Sequence, residues 1–530
     1  MKKVVKMKEI FFGRKLSILI VLGIGIFLAS CSGSRQSSGG GGYASMPTEP
    51  VSKPSYSAAD YQLDYSYFKN NKLPIPNNFR GNSVGYLVPG KEVADSGYDF
   101  FTKYNESKAL SFYKNLKLRG AGDNSSYWRW KITFNENSFY ATVASGLVSQ
   151  SKSRPNDVLT LSGNSWVKKS VSKADVGNIK DVKVGARGKS GIVTYLIVYT
   201  DKNTFLVSKE LTIRRTIVPG NNSLYGAKGG EESYGSSPFK TNLNMLPSGY
   251  FAIEKSSGKI TLYGGGYGHG VGMSQYAAHD LTSNKNHSYI DVLKRYYPNT
   301  TIKNMYKITG VTENIRVGIS TSGGGMAHSK VVMTASGKAK IKGQGINISV
   351  GPSDRIEIIN SGGKLTVSVS GKQRGQVTGK VTIESSGNYI TLNGVRKAHT
   401  SNPSYRGIIE INPSGKGLKV INEVYIEDYL KQVLPSEMPK SFGVEALKAQ
   451  AVAARTYALS DYLKNKYQNE GFHVKDTVES QVYNNQVENN ESNEAIKATN
   501  GQVMIYNEAP IDAKYFSTSS GFIEAANYVW

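Results

Sequence analysis

Pro435 and Pro439 bracket a single acidic residue, Glu437, in the string LPSEMPKSFGVEALKAQAVAARTYAL that runs from Leu434 to Leu459. Each proline ring fixes φ at about −65° and biases the residue before it away from helix. Upstream, Ile426, Tyr429, Leu430, Val433 and Leu434 recur at i, i+3, i+4, i+7 and i+8, which predicts an amphipathic helix that stops at Pro435. Downstream, Leu447, Ala451, Ala454 and Ala458 make a small-residue face suited to close helix packing. Glu437 is therefore expected on a stiff turn whose direction both helices set. A glutamate in a loop is ordinarily solvated surface, so rigidity alone assigns it no chemistry.

The remaining pattern reads as α+β. Helices are expected near Tyr104–Lys117, Met273–Leu281 and Tyr289–Tyr297, the last ended by Pro298. VTYLIVYT (193–200) and NTFLVSKELTIRRTI (203–217) alternate as half-buried strands do, and further strands are expected near Gln502–Tyr506 and Ala513–Ser517. From about Ile315 to Val420 strands dominate, broken by SGG, SGK and GNY turns, as in a small β domain.

Six glycines surround His269 in GGGYGHGVGMSQYAA, residues 264–278. Glycine permits positive φ and close backbone approach. Two readings follow: a ligand comes near His269, or a tight turn needs glycine and His269 bonds to a backbone carbonyl. Gln275 shares both readings.

At the amino terminus Lys2, Lys3, Lys6, Lys8, Arg14 and Lys15 precede an apolar run from Leu16 to Leu28, as in an export signal and too short for a membrane span. The run ends in Leu28-Ala29-Ser30-Cys31, which resembles a bacterial lipobox, and Cys31 is the sole cysteine. An incidental cysteine after an ordinary signal peptide is the alternative. Glycines and serines from Ser32 to Ser45, with prolines to Pro54, make a flexible tether. Net charge is +25, and loss of residues 1–30 removes six positive charges and one negative, leaving +20. That balance suits anionic partners such as wall polymers or acidic lipids. Export and the lack of an aromatic-interleaved or recognition-helix pattern argue against nucleic acid.

Leu434–Leu459 and GGGYGHGVGMSQYAA resemble the stage II sporulation protein D (SpoIID/LytB) family of bacterial lytic transglycosylases and amidase enhancers. SYRGIIEINPSGKGLKVINEVYIEDYL, DTVESQVY and ATNGQVMIYNEAPIDAKYFSTSSGFIEAANYVW agree with it. The order departs from the family, in which the SEMP stretch opens the domain and the glycine stretch closes it. Here GYLVPGKEVADSGYDF and the glycine stretch come first. A circular permutation or a truncated tandem explains this, and permutation predicts Trp530 near Gly85–Pro89, closing one core. The expected organisation is a signal at 1–30, a tether at 31–58, the family's second half at 59–302, a β-rich segment at 303–420 and its first half at 421–530.

The resemblance implies that Glu437 is the catalytic acid of a peptidoglycan lytic transglycosylase. Glycan hydrolysis normally uses two carboxylates. A transglycosylase manages with one, because the sugar's own C6 hydroxyl attacks and leaves a 1,6-anhydro end. Gln450 and Arg455, which interrupt the alanine-rich helix, are candidate substrate contacts. So, by the resemblance, are Gln481, Tyr483, Tyr515, Ser517 and Ser519, with His269 and Gln275 beside them. Some family members resemble zinc proteins near the HVKDTVESQVY region. Here only His473 remains there, so neither metal nor cofactor is expected. The resemblance also implies glycan strands as partner, with a cell-wall amidase as another. Lipidated Cys31 would place the chain on the outer face of the cytoplasmic membrane, facing the wall. A non-catalytic amidase enhancer or wall-binding scaffold is the alternative.

Overall fold

The computed structural model describes residues 63–77, 84–94, 101, 103–308 and 310–530. The export signal, Cys31 and the tether lie outside these described residues. The fold is mixed α+β with several antiparallel sheets, as the sequence predicts.

Between Asn314 and Tyr425, alternation of apolar and polar residues builds two sheets, because strand side chains point to opposite faces in turn. One sheet has seven strands in the order Ile346–Val350, Ala339–Gly343, Val381–Ser385, Ile408–Ser414, Gly417–Tyr425, Asn314–Ile319 and Val474–Lys475. Only its last pair is parallel. The other runs Lys372–Thr378, Lys364–Val369, Ile356–Ser361, Lys330–Ala335, Ile390–Leu392 and Ser404–Tyr405. Their apolar faces share one core with the helices on either side of Glu437. Ile341, Ile358 and Val367 are fully buried in it beside Leu430, Val433 and Leu447. The β-rich segment thus supports the helices that carry the candidate acid.

Three local expectations are corrected. The Ile426–Glu437 helix runs through Pro435 instead of stopping there. A proline in the last turn forfeits a single N–H bond, and the Met438 N–H still closes on the Leu434 carbonyl at 3.0 Å. Of NTFLVSKELTIRRTI, only Thr204–Ser208 is strand, and Glu210–Thr216 is helix. Lys209 turns the chain with φ +65°, and Glu210 and Arg214, one helical turn apart, pair at 2.9 Å while buried. VTYLIVYT is buried on both faces through Val198, not on one. One face shares a core with Val143 and Leu147, the other with Phe68 and Tyr528.

The early and late parts of the chain close around one another. Gly90–Lys91 pairs with Phe522–Ile523, Thr301–Asn304 with Gln502–Tyr506, and Met273–Ser274, in parallel, with Tyr515–Phe516. Only Tyr515–Phe516 of the strand expected at Ala513–Ser517 is regular. Phe112, Trp128 and Met273 share an apolar core with Val452, Met504, Phe516 and Phe522. The Ala526 N–H reaches the Leu87 carbonyl at 3.4 Å, and the Trp530 ring lies 5.1 Å from that of His269.

Phe522 tests this closure, since its ring meets Phe101 at 6.1 Å and Phe112 at 5.5 Å. Phe522→Ala is expected to cost about 3–5 kcal/mol, read as a lowered midpoint in urea denaturation followed by tryptophan fluorescence. A loss under about 1 kcal/mol would mean the two parts do not share a core.

Candidate functional site

Glu437 ends its helix, and its carboxyl turns back toward two segments distant in sequence. The Val482 N–H donates to Glu437 Oε1 at 2.9 Å, and the Tyr515 hydroxyl donates a second bond. Tyr515 in turn accepts from Gln481 Nε2 at 3.1 Å, while Gln481 Oε1 accepts from the Tyr429 hydroxyl at 3.2 Å. On the other side Gln275 Nε2 donates to the Glu437 carbonyl at 3.0 Å and to Gln450 Oε1 at 3.3 Å. Two glutamines 175 residues apart therefore fix where the helix end points.

This surrounding is poor in charge. Desolvation of the Glu437 carboxyl pushes its pKa up to about 7, against the bonds from Val482 and Tyr515, which favour the carboxylate. Yet the residue as a whole keeps a partly exposed surface. A carboxyl that is half protonated near neutrality is equipped to give up a proton and take it back.

The glycine stretch forms the wall beside it. Gly266, Gly268, Gly270 and Gly272 all have positive φ. A Cβ on Gly272 would meet the Lys514 carbonyl oxygen at 2.0 Å. What approaches this backbone is thus the chain's own Lys514–Ser520 segment, and Tyr267 and Thr518 form a bridge there. Of the two readings of His269, the tight turn describes its surroundings. The ring bonds to the Tyr515 carbonyl and accepts from the Val271 N–H at 3.2 Å. Desolvation, with Lys514 and Arg214 nearby, pulls its pKa down to about 3 and keeps it neutral.

The other candidates divide. Gln275, Gln450, Gln481 and Tyr515 gather around Glu437. Arg455 does not reach outward: its guanidinium is wholly buried and forks onto Glu427 at 2.7 and 2.6 Å. Tyr483 is also buried, donating to Asn422 Oδ1 at 3.0 Å. Ser519 is buried as well, donating to Glu92 Oε2 at 3.2 Å. Ser517 is partly exposed, and its carbonyl accepts from the Tyr276 N–H at 3.0 Å.

Among the described residues no group of three or more histidine, cysteine, aspartate or glutamate side chains could hold a metal ion. The loop that follows His473 is held by other means. Val474–Lys475 pairs with Val317–Gly318, and buried Asp476 takes the Lys397 ammonium and the Ser320 N–H. Sequence reasoning missed the Val482 N–H, a backbone donor with no side-chain signal. It also missed Glu524, buried with a pKa raised to about 7, bonded to the Ser190 N–H and hydroxyl.

Comparison with known proteins bears on the same region. Residues 414–506, which include Glu437 and Gln481, match the family model described as stage II sporulation protein. The carboxy-terminal region carries a SpoIID domain. Residues 160–272 match a separate domain of unknown function, DUF8618. The chain is 45% identical over 101 residues to the amidase enhancer of Bacillus subtilis (strain 168), covering 19% of this chain and 13% of that protein. It is 36% identical over 124 residues to stage II sporulation protein D of the same organism, covering 21% of this chain and 36% of that one. An uncharacterized protein of Brachyspira hyodysenteriae is 41% identical over 133 residues, covering 25% of this chain and 33% of its own. The chain thus spans between about an eighth and just over a third of the curated relatives it matches. No solved structure matches it.

The raised pKa has a thermodynamic consequence. A carboxyl whose folded pKa lies above its unfolded value of 4.5 costs stability as pH climbs through that window, because the unfolded chain releases its proton first. Glu437→Gln, which keeps an acceptor for Val482, is expected to gain on the parent between pH 4.5 and 7.5, approaching about 3 kcal/mol. Paired urea titrations at several pH values check this. A difference that does not change with pH contradicts the buried-acid geometry.

Proposed function

We propose that this protein is a membrane-anchored lytic transglycosylase that cleaves MurNAc–GlcNAc links in peptidoglycan with Glu437 as its one acid and base. The observation that carries this reading is the pairing of a partly exposed Glu437, its pKa near 7, with a cradle of neutral donors. In the reaction, protonated Glu437 gives its proton to the bridging oxygen, and the C–O bond to the leaving sugar breaks. The resulting carboxylate removes the proton from the C6 hydroxyl as that oxygen closes on C1. Val482 and Tyr515 favour the carboxylate that forms, and Gln275 and Gln450 keep the helix end from turning away.

Similarity to an amidase enhancer favours a second reading, in which the same face binds glycan or a hydrolase without cutting. Two further parts belong to this proposal. Lipidation at Cys31 tethers the protein to the outer face of the cytoplasmic membrane. A circular permutation of the SpoIID-like halves accounts for their order, and the pairing of Gly90–Lys91 with Phe522–Ile523 supports it.

Digestion of purified glycan strands, with mass spectrometry for 1,6-anhydro products, tests the enzymatic reading. Glu437→Gln is expected to lower product release at least 1,000-fold with folding intact. Activity of the parent is expected to fall as pH rises above about 7, since the proton to be donated is lost. Unchanged product from the variant would remove Glu437 from the chemistry. No product from the parent, with amidase stimulation retained, would favour the enhancer. For the anchor, Cys31→Ala is expected to move the protein from the membrane to the soluble exported fraction. Persistent membrane recovery would contradict lipidation.

A further inference from the structure

A cavity of about 470 Å³ opens where the Asn314–Ile319 strand and the Val444–Lys464 helix meet the loop after Gly471. Arg316, Glu423, Tyr462 and His473 line it, with the exposed Glu313 and Asn314 at its rim. The cavity is separate from the Glu437 site, since Tyr462 lies about 18 Å beyond Gln450 along their common helix. It is tied to that site all the same. His473 begins the stretch that leads to Val482, whose N–H holds the Glu437 carboxyl.

Part of this lining is explained by the fold. Arg316 donates to the Gly471 carbonyl at 2.8 Å, to Glu423 at 2.6 Å and to Glu410 at 2.8 Å. One side of Tyr462 packs on the core beneath the helix. The His473 N–H donates to the Arg316 carbonyl at 2.9 Å, and its Nδ1 accepts from the Arg316 N–H at 3.1 Å. That second bond decides the tautomer, because the neutral ring must then carry its proton on Nε2. Desolvation, with Arg316 beside it, pulls the His473 pKa down to about 4 and keeps the ring neutral. Four groups remain that internal bonding does not use: the His473 Nε2–H, the Tyr462 hydroxyl, the Glu313 carboxylate and the Asn314 side-chain amide. Among the described residues none of these meets a hydrogen-bond partner or an opposite charge.

Together these groups have the chemistry of a sugar site. The Tyr462 and His473 rings meet at 4.5 Å and 74°, an aromatic corner against which the C–H face of a pyranose can pack. Carboxylate and amide oxygens take sugar hydroxyls, and a fixed N–H donor suits an acetamido carbonyl. Charge narrows the choice. Glu313 and Glu423 face a single guanidinium, so a ligand that brings its own carboxylate is repelled. We infer that this cavity is a second glycan-binding site, taking an uncharged GlcNAc unit of the strand away from the bond that Glu437 cleaves. The inference rests on the peptidoglycan reading for its ligand and does not use the chemistry of Glu437.

The test titrates the full chain with the β-1,4-linked tetramer of GlcNAc and follows amide hydrogen exchange by mass spectrometry, which reads each site locally. Protection is expected at residues 312–316 and 471–475. Glu313→Ala/Tyr462→Leu should weaken the affinity read from that protection about tenfold or more. Tyr462→Phe, which keeps the ring, should weaken it less. Glu313→Ala alone alters an exposed side chain, so its urea midpoint should match the parent while its affinity still falls. Equal affinity of parent and double variant would overturn the inference, as would a parent in which those two stretches gain no protection. A preference for the tetramer of glucosamine, whose units are cationic, would overturn it too. Because the readout is binding, a parent that gains this protection yet releases no anhydro product would sink the Glu437 assignment and leave the second site standing.

Discussion

The candidate site depends on the two-residue parallel pairing of Met273–Ser274 with Tyr515–Phe516. It is short, yet it joins the glycine stretch to the end of the chain and leaves Gln275 and Tyr515 on opposite sides of Glu437. Four positive-φ glycines allow it, because any Cβ at Gly270 or Gly272 would collide with Tyr250 or Lys514. Ser274 then caps the Gln275–Asn284 helix, so the side chain that grips the Glu437 carbonyl starts a rigid element.

The same pairing helps raise the carboxyl's pKa to about 7. Glu437 faces two donors and several tyrosines, and neither a cation nor a second carboxylate figures in its shift. Burial therefore dominates. Arg455, which sequence alone does not separate from the acid, is paired with Glu427. A guanidinium released beside Glu437 would draw its pKa down and remove the proton the proposed reaction needs.

Much of this was legible in the sequence. The amphipathic pattern before Pro435 and the strand runs between Ile315 and Val420 could be read from spacing, whereas proline framing alone assigned Glu437 no chemistry and its expected role came from the family resemblance. What was not legible came from tertiary context. The helix outran Pro435 because one lost N–H bond is cheap in a last turn. ELTIRRT read as strand because apolar residues alternate there, and the Glu210–Arg214 pair together with the turn at Lys209 overrode that pattern. The burial of Tyr483 and Ser519, like that of Gln450 and Gln481, leaves no mark in the motifs that contain them. Backbone donors such as Val482 leave no trace in a side-chain pattern.

The central claim is that the Glu437 carboxyl holds its proton close to neutral pH. Difference infrared spectroscopy of the parent against Glu437→Gln measures this directly, through the carbonyl stretch of a protonated carboxylic acid followed from pH 4 to pH 9. The account predicts a band missing from the variant that disappears with a midpoint near 7. A band already gone by about pH 5, the ordinary carboxylate range, would contradict it.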